Sequence, residues 1–150
     1  YLLFRNKTEI YREIAGNVMA RSIEAARTAL SGTGGFVARM EAAVDAAIFE
    51  CFGQFAASPH GVELLGMKTT LAGDQVDAWR ADITALLAGA VAGQAARNDL
   101  DLAAEGLDAE GIAAMLLDAL EGMRSRSADF AAQRAAAFRI IRVINRALRR

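Results

Sequence analysis

Apolar residues recur every three or four positions through most of this 150-residue chain, and this spacing constrains the fold more than any other feature. Ile10, Ile14 and Val18 show it near the start of the sequence. Alternating runs of β-branched and aromatic residues are missing, which argues against a sheet. Ala is abundant and there is a single Pro, so the composition favours helix nearly everywhere. We therefore predict an all-α fold, one helical bundle of about six helices.

Capping residues and chain breakers divide this pattern into segments. Asn6 is a favoured N-cap with Glu9 three positions on, and the glycine-rich stretch at residues 31–35 ends the first helix. At about 25 residues this helix is long for a globular protein, so we expect it to link two parts of the molecule. The predicted helices span residues 6–30, 35–57, 60–71, 74–97, 108–123 and 127–148, with an acidic loop at 98–107.

Charge and cysteine content exclude several classes of protein. The net charge of −1 gives the whole chain no electrostatic footprint for nucleic acid. One Cys excludes an internal disulfide and fits a reducing compartment. The longest uncharged stretch, Ile83 to Ala96, is shorter than the roughly 18 residues that suggest a membrane span. We expect a soluble cytoplasmic protein with no membrane partner.

The last predicted helix carries more apolar surface than one neighbour needs. Its apolar side chains span an arc of about 160°, whereas packing on one neighbour needs about 100°. Arginines gather on the opposite side, where a solvated face is a more ordinary explanation than nucleic-acid binding. With the preceding helix it could build a four-helix interface in a two-fold homodimer; the alternative is a central helix in a monomer. The predicted dimer-interface residues are Ile112, Leu116, Leu120, Met123, Phe138, Ile141, Ile144 and Leu148.

The opening pattern Tyr1-x-x-Phe4-x-x-Lys7-x-x-Ile10 resembles a junction in TetR-family transcriptional regulators, where a recognition helix meets the long connecting helix. The segment DAEGIAAMLLDALEGM and the Arg-rich helix after it are similar to the two dimerisation helices of that family. The resemblance implies a TetR C-terminal-domain-like fold, with residues 1–5 a remnant of a helix-turn-helix DNA-binding domain and residues 6–150 an effector-binding and dimerisation domain. The function it implies is a ligand-responsive transcriptional regulator, a repressor.

The same resemblance implies contacts with DNA. Tyr1 and Lys7 would touch phosphates, and the homodimer would bind double-stranded operator DNA through an N-terminal domain that this chain mostly lacks. The alternative is that Tyr1 is a frayed terminus and Lys7 an ordinary solvated side chain.

TetR-family regulators hold their effector between the central helices, and this sequence supplies apolar residues there. Met and aromatic side chains adapt to an irregular hydrophobic guest, so we predict a lipophilic small-molecule effector with little charge. The alternative is that these residues are plain core and that His60 faces water. The predicted ligand-binding residues are Met40, Val44, Cys51, Phe52, Phe55, His60, Met67, Trp79, Ile83 and Leu86.

The unique Cys51 and His60 are the obvious candidates for a catalytic pair. Cys51 lies in an apolar stripe, where burial makes a thiol inert. His60 and Glu63 lie one helical turn apart, but a metal site in a bundle needs further ligands. We therefore expect no enzymatic activity, no metal and no cofactor. A helical homodimeric interaction module without a ligand pocket is the alternative function.

Overall fold

The computed structural model describes residues 6–57, 73–97 and 99–150. Its helices are α1 (Lys7–Leu30), α2 (Phe36–Val44), a π-helical segment (Asp45–Glu50), α3 (Cys51–Ala56), α4 (Gly73–Ala96), a 3₁₀ turn (Ala103–Glu105), α5 (Ala109–Arg126) and α6 (Phe130–Leu148). Because α2, the π segment and α3 are contiguous, they form a single rod. The all-α prediction is confirmed for the described residues. The short helix predicted at 60–71 lies outside them, so the count of six stays a prediction.

Short-range hydrogen bonds set the starts of the helices. The side chain of Asn6 accepts a bond from the amide of Glu9 at 3.0 Å, and that of Asp108 accepts one from Gly111 at 2.6 Å. The cap predicted at Asn6 is confirmed, and the helix predicted from residue 108 begins directly after the Asp108 cap. The last helix begins at Phe130 rather than near 127 because the Asp129 carboxylate caps it, accepting bonds from the amides of Ala131 and Ala132.

The helices pack around one continuous core. α1 lies against α2, the π segment and α4; α4 packs on α5, α5 on α6, and α6 returns to α2. Val44, Ile83 and Leu116 are almost fully buried at the centre. None of the described helices is both long enough and apolar enough to cross a membrane.

The π segment is the main departure from the predicted regular helix at 35–57. Ala47, Ile48 and Phe49 are all buried, three successive positions. A regular α-helix turns about 100° per residue and would carry at least one of them towards its exposed side; the wider π turn accommodates all three. The ring of Phe49 contacts that of Phe130 edge-on at 6.5 Å. Cys51, which follows the π turn, is only half-buried instead of lying in the middle of the apolar stripe.

Candidate functional site

Most of the predicted ligand-binding residues that the structure describes belong to the central core. Met40, Val44, Trp79 and Ile83 are buried, each less than a tenth exposed. Phe52 and Leu86 are partly buried and pack against that core. His60, Met67 and the Phe55 side chain lie outside the described residues. The structure therefore brings six of the predicted residues into one apolar cluster: Met40, Val44, Phe52, Trp79, Ile83 and Leu86.

Phe52 and Trp79 form an aromatic pair within this cluster. Their rings meet edge-on, with centroids 5.4 Å apart and planes at 83°. This is a favourable geometry for an aromatic pair. Phe52 comes from α3 and Trp79 from α4, so the pair connects the end of the π-containing rod to the helix that packs on α1.

A buried polar junction adjoins the aromatic pair. The indole N–H of Trp79 donates to Ser22 Oγ at 2.9 Å, and the Ser22 hydroxyl donates to the carbonyl oxygen of Ala47 at 2.6 Å. Ser22 is fully buried. We call these three residues the Ser22 junction. It joins α4 to α1 and α1 to the π segment, and it leaves neither the indole N–H nor the hydroxyl unsatisfied, as buried polar groups require.

Sequence reasoning missed Ser22, although a signal was present. Ser22 continues the spacing of Ala15, Met19 and Ala26, all of which are buried on the same side of α1. A hydroxyl in an otherwise apolar stripe needs a hydrogen-bond partner, and a buried Trp needs an acceptor. That combination could have suggested a pair with the only Trp of the chain, Trp79.

A second polar contact joins α4 to the first half of α1. The Arg12 guanidinium donates two hydrogen bonds to the Asp74 carboxylate, at 2.9 and 2.8 Å, and Gln75 donates to the Arg12 carbonyl at 3.1 Å. The hydrogen bond from Arg12 lowers the pKa of Asp74 to about 2. Gly16 allows this close approach, because a Cβ there would lie 3.2 Å from Gln75 Nε2. Arg12 and Ser22 are about 15 Å apart along the helix, so α4 holds α1 at two separate points.

Two surface grooves flank α5. One, of about 630 Å³, lies between α5 and α6, and the other, of about 430 Å³, lies between α4 and α5. The α5–α6 groove is mostly apolar, with Arg126 and Arg139 at its edge. Neither groove is lined by a predicted ligand-binding residue. A pocket among the core residues therefore stays a prediction.

The predicted dimer-interface residues mostly face the interior of their own chain. Phe138 and Ile144 are partly buried, and the other six are buried. Side chains that fill one protomer's core present little surface to a second copy. The six buried residues are Ile112, Leu116, Leu120, Met123, Ile141 and Leu148.

The outward flanks of α5 and α6 nevertheless carry exposed apolar side chains. Met115 is 51% exposed and Val143 is 61% exposed. Helical spacing puts each of them on one face with small or apolar neighbours, and the α5–α6 groove joins the two faces. We call this surface the α5–α6 face. Its members are Met115, Ala119, Gly122, Ala136, Ile140 and Val143.

Two arginines of α6 bind acidic residues of the rod beside it. Arg134 contacts the Asp45 carboxylate through two nitrogens, at 2.5 and 2.6 Å, and its guanidinium lies 5.0 Å from the centre of the Phe138 ring. Arg142 donates to Glu41 at 2.6 Å. These pairs hold α6 against α2 and the π segment. They favour a structural role for these two arginines of α6 over nucleic-acid binding.

Of the residues considered for catalysis and DNA contact, the structure describes Cys51 and Lys7. Burial raises the pKa of the half-buried Cys51 thiol. Over residues 6–57, 73–97 and 99–150, no group of three or more His, Cys, Asp or Glu side chains is placed to hold a metal ion. Lys7 is exposed in the first turn of α1, where a helix carries positive potential, and Tyr1 lies outside the described residues.

Comparison with known proteins found no matching family model, curated protein or solved structure.

Proposed function

We propose that this chain is the effector-binding and dimerisation part of a ligand-responsive, TetR-like transcriptional repressor. The observation that carries the proposal is the attachment of α1. This helix runs unbroken from Lys7 to Leu30 and is held by α4 at Arg12 and at Ser22. A helix fastened at two points moves with the helix that holds it. Whatever precedes residue 6 would therefore follow a displacement of α4.

The α5–α6 face supports the homodimer in this proposal. Two copies related by a two-fold axis would bring four helices together and cover Met115 and Val143 of both subunits. Alanine and glycine on the same face allow close approach of the helices. The contact uses the outward flank of the helix pair and leaves the buried core of each protomer intact.

In the proposed mechanism, a lipophilic effector enters the apolar cluster around Phe52 and Trp79. Displacement of α4 then tilts α1 and changes the separation of the DNA-binding domains (the heads) of the two subunits. Those heads must match half-sites about 34 Å apart. The effector must bind more tightly to the arrangement that does not fit DNA, because a ligand shifts an equilibrium only by its differential affinity.

The test uses this chain for the fluorescence screen, because Trp79 is its only Trp, and the protein joined to its DNA-binding domain for the DNA titration. Lipophilic compounds are screened for a change in Trp79 emission, and each positive compound is added to a titration of a palindromic operator duplex. We expect at least one compound to weaken DNA binding by roughly five- to 150-fold, the usual range of allosteric coupling. Unchanged DNA affinity with every compound that alters the emission would refute the proposal.

A homodimeric interaction module without a ligand pocket is the second candidate. The dense burial of Met40, Val44 and Ile83 favours it. This candidate predicts that the chain dimerises while no lipophilic compound changes Trp79 emission. The two candidates therefore share the dimer and differ in the response of the core.

A further inference from the structure

The π segment is the least regular part of the core, and it contacts α1, α2, α3 and α6. A π turn closes on the fifth residue instead of the fourth, and such turns are frequent at functional sites. Relative to a continuous α-helix it holds one additional residue. Conversion to the α register would therefore rotate α3 by about 100° and shift it by about 1.5 Å relative to α2.

The Ser22 junction binds this segment at Ala47, in its middle. The carbonyl oxygen of Ala47 accepts a hydrogen bond from the Ser22 hydroxyl at 2.6 Å. In the α register that carbonyl would align with the regular ladder of its own helix. The Ser22 hydroxyl and the Trp79 indole N–H would then have to reorganise together, because Trp79 donates to the same hydroxyl.

Two further contacts determine which side of the π segment would move. Asp45, at its first position, is held by two bonds from Arg134 of α6. Phe52, just beyond its last position, touches Trp79 through an edge-on aromatic contact. A register change would therefore leave α2 in place and rotate α3, carrying Phe52 away from the Trp79 ring.

We propose that the π segment is a register switch with a second, α-helical state, and that the Ser22 junction couples its register to the position of α1. This deepens the proposed function by assigning its regulation: an apolar guest that separates Phe52 from Trp79 selects the α register and releases α1 from the π segment. Only the regulatory role of the guest rests on the proposed function. The coupling itself is a property of the folded chain and is measurable without effector or DNA.

The experiment follows amide hydrogen exchange by mass spectrometry in four proteins: wild type, Trp79→Phe, Ser22→Ala and the double variant. Trp79→Phe keeps an aromatic ring at the position beside Phe52 but removes the indole N–H together with part of the buried ring volume, and the comparison in the Ser22→Ala background separates the two effects. We expect it to speed exchange in the π segment, which Trp79 reaches through Ser22, by roughly fivefold, the usual effect of one net hydrogen bond. In the Ser22→Ala background the same substitution should add no further change there.

Thr84→Ala is the matched control, because the Thr84 hydroxyl donates to the Arg80 carbonyl within α4 itself. It should leave exchange in α1 and in the π segment unchanged. The proposal is overturned if Trp79→Phe speeds exchange only in α4, or if its effect on the π segment is equally large without the Ser22 hydroxyl. If Ser22→Ala fails to fold, the single Trp79→Phe comparison still decides, since an unchanged π segment contradicts the coupling. Because the measurement uses neither effector nor DNA, its failure is distinct from failure of the repressor proposal.

Discussion

Replacing Val143 by Asp should dissociate the proposed dimer while leaving each protomer folded. Val143 is 61% exposed in the single chain, so this fraction of its side chain remains to be buried by a partner. Full burial of such a side chain contributes about 1.5–3 kcal/mol, and the exposed fraction therefore about 1–2 kcal/mol. A two-fold interface contains the residue twice, which doubles the loss to about 2–4 kcal/mol. That corresponds to a dimer roughly 30- to 700-fold weaker, before the cost of burying two carboxylates is added.

The assay is sedimentation equilibrium over a wide range of protein concentration, with circular dichroism to verify the fold. Ala135→Asp is the matched control, since Ala135 is exposed on the arginine side of the same helix and does not belong to the α5–α6 face. The control should dimerise like wild type. The reasoning fails if wild type is monomeric at roughly 100 μM, a concentration at which a dimer with even micromolar affinity is mostly associated. It also fails if Val143→Asp associates as tightly as Ala135→Asp.

Three further predictions concern stability and reactivity. The pKa of Asp74 is lowered to about 2 from an ordinary 3.8, so its contact with Arg12 stabilises the fold fully above about pH 4, and this contribution is lost as pH falls towards 2. Asp74→Asn should therefore flatten that part of the pH dependence of the unfolding free energy. An unchanged pH profile would contradict a stabilising role for this contact. Phe49→Ala should destabilise the protein by about 3–5 kcal/mol in denaturant unfolding because the ring is buried, whereas Glu50→Ala at the exposed neighbouring position should change the unfolding free energy by less than about 0.5 kcal/mol. Similar effects at both positions would refute the described burial of Phe49. Burial raises the pKa of Cys51, so iodoacetamide should alkylate it more slowly than a free thiol at pH 8, and a rate equal to that of free cysteine would show that the thiol is not protected.

Features that depend on neighbouring positions in the chain could be predicted well. The caps at Asn6 and Asp108 each act on an amide three residues away, so the sequence contains both partners of the hydrogen bond. The same holds for the α-helical class, which follows from the spacing of apolar residues. The glycine-rich stretch after Leu30 likewise predicted the end of α1.

The π segment could not be predicted because the polar contacts it makes are with residues distant in sequence. The Ser22–Ala47 bond spans 25 positions and the Ser22–Trp79 bond spans 57. Extrapolating a regular helix through residues 35–57 placed Cys51 in the apolar stripe and overlooked the buried Phe49. One additional residue in a single turn changes the direction of every side chain that follows.

The sequence by itself determined that this chain forms amphipathic helices, where several of them begin, and that the last two carry apolar surface on more than one side. Tertiary structure alone decided how that surface is divided, with Ile141 turned into the protomer and Val143 left outside. The physical reason is that helical periodicity depends only on local backbone geometry, whereas burial depends on which other helices occupy each side. Those neighbours are brought together by contacts between residues far apart in the chain.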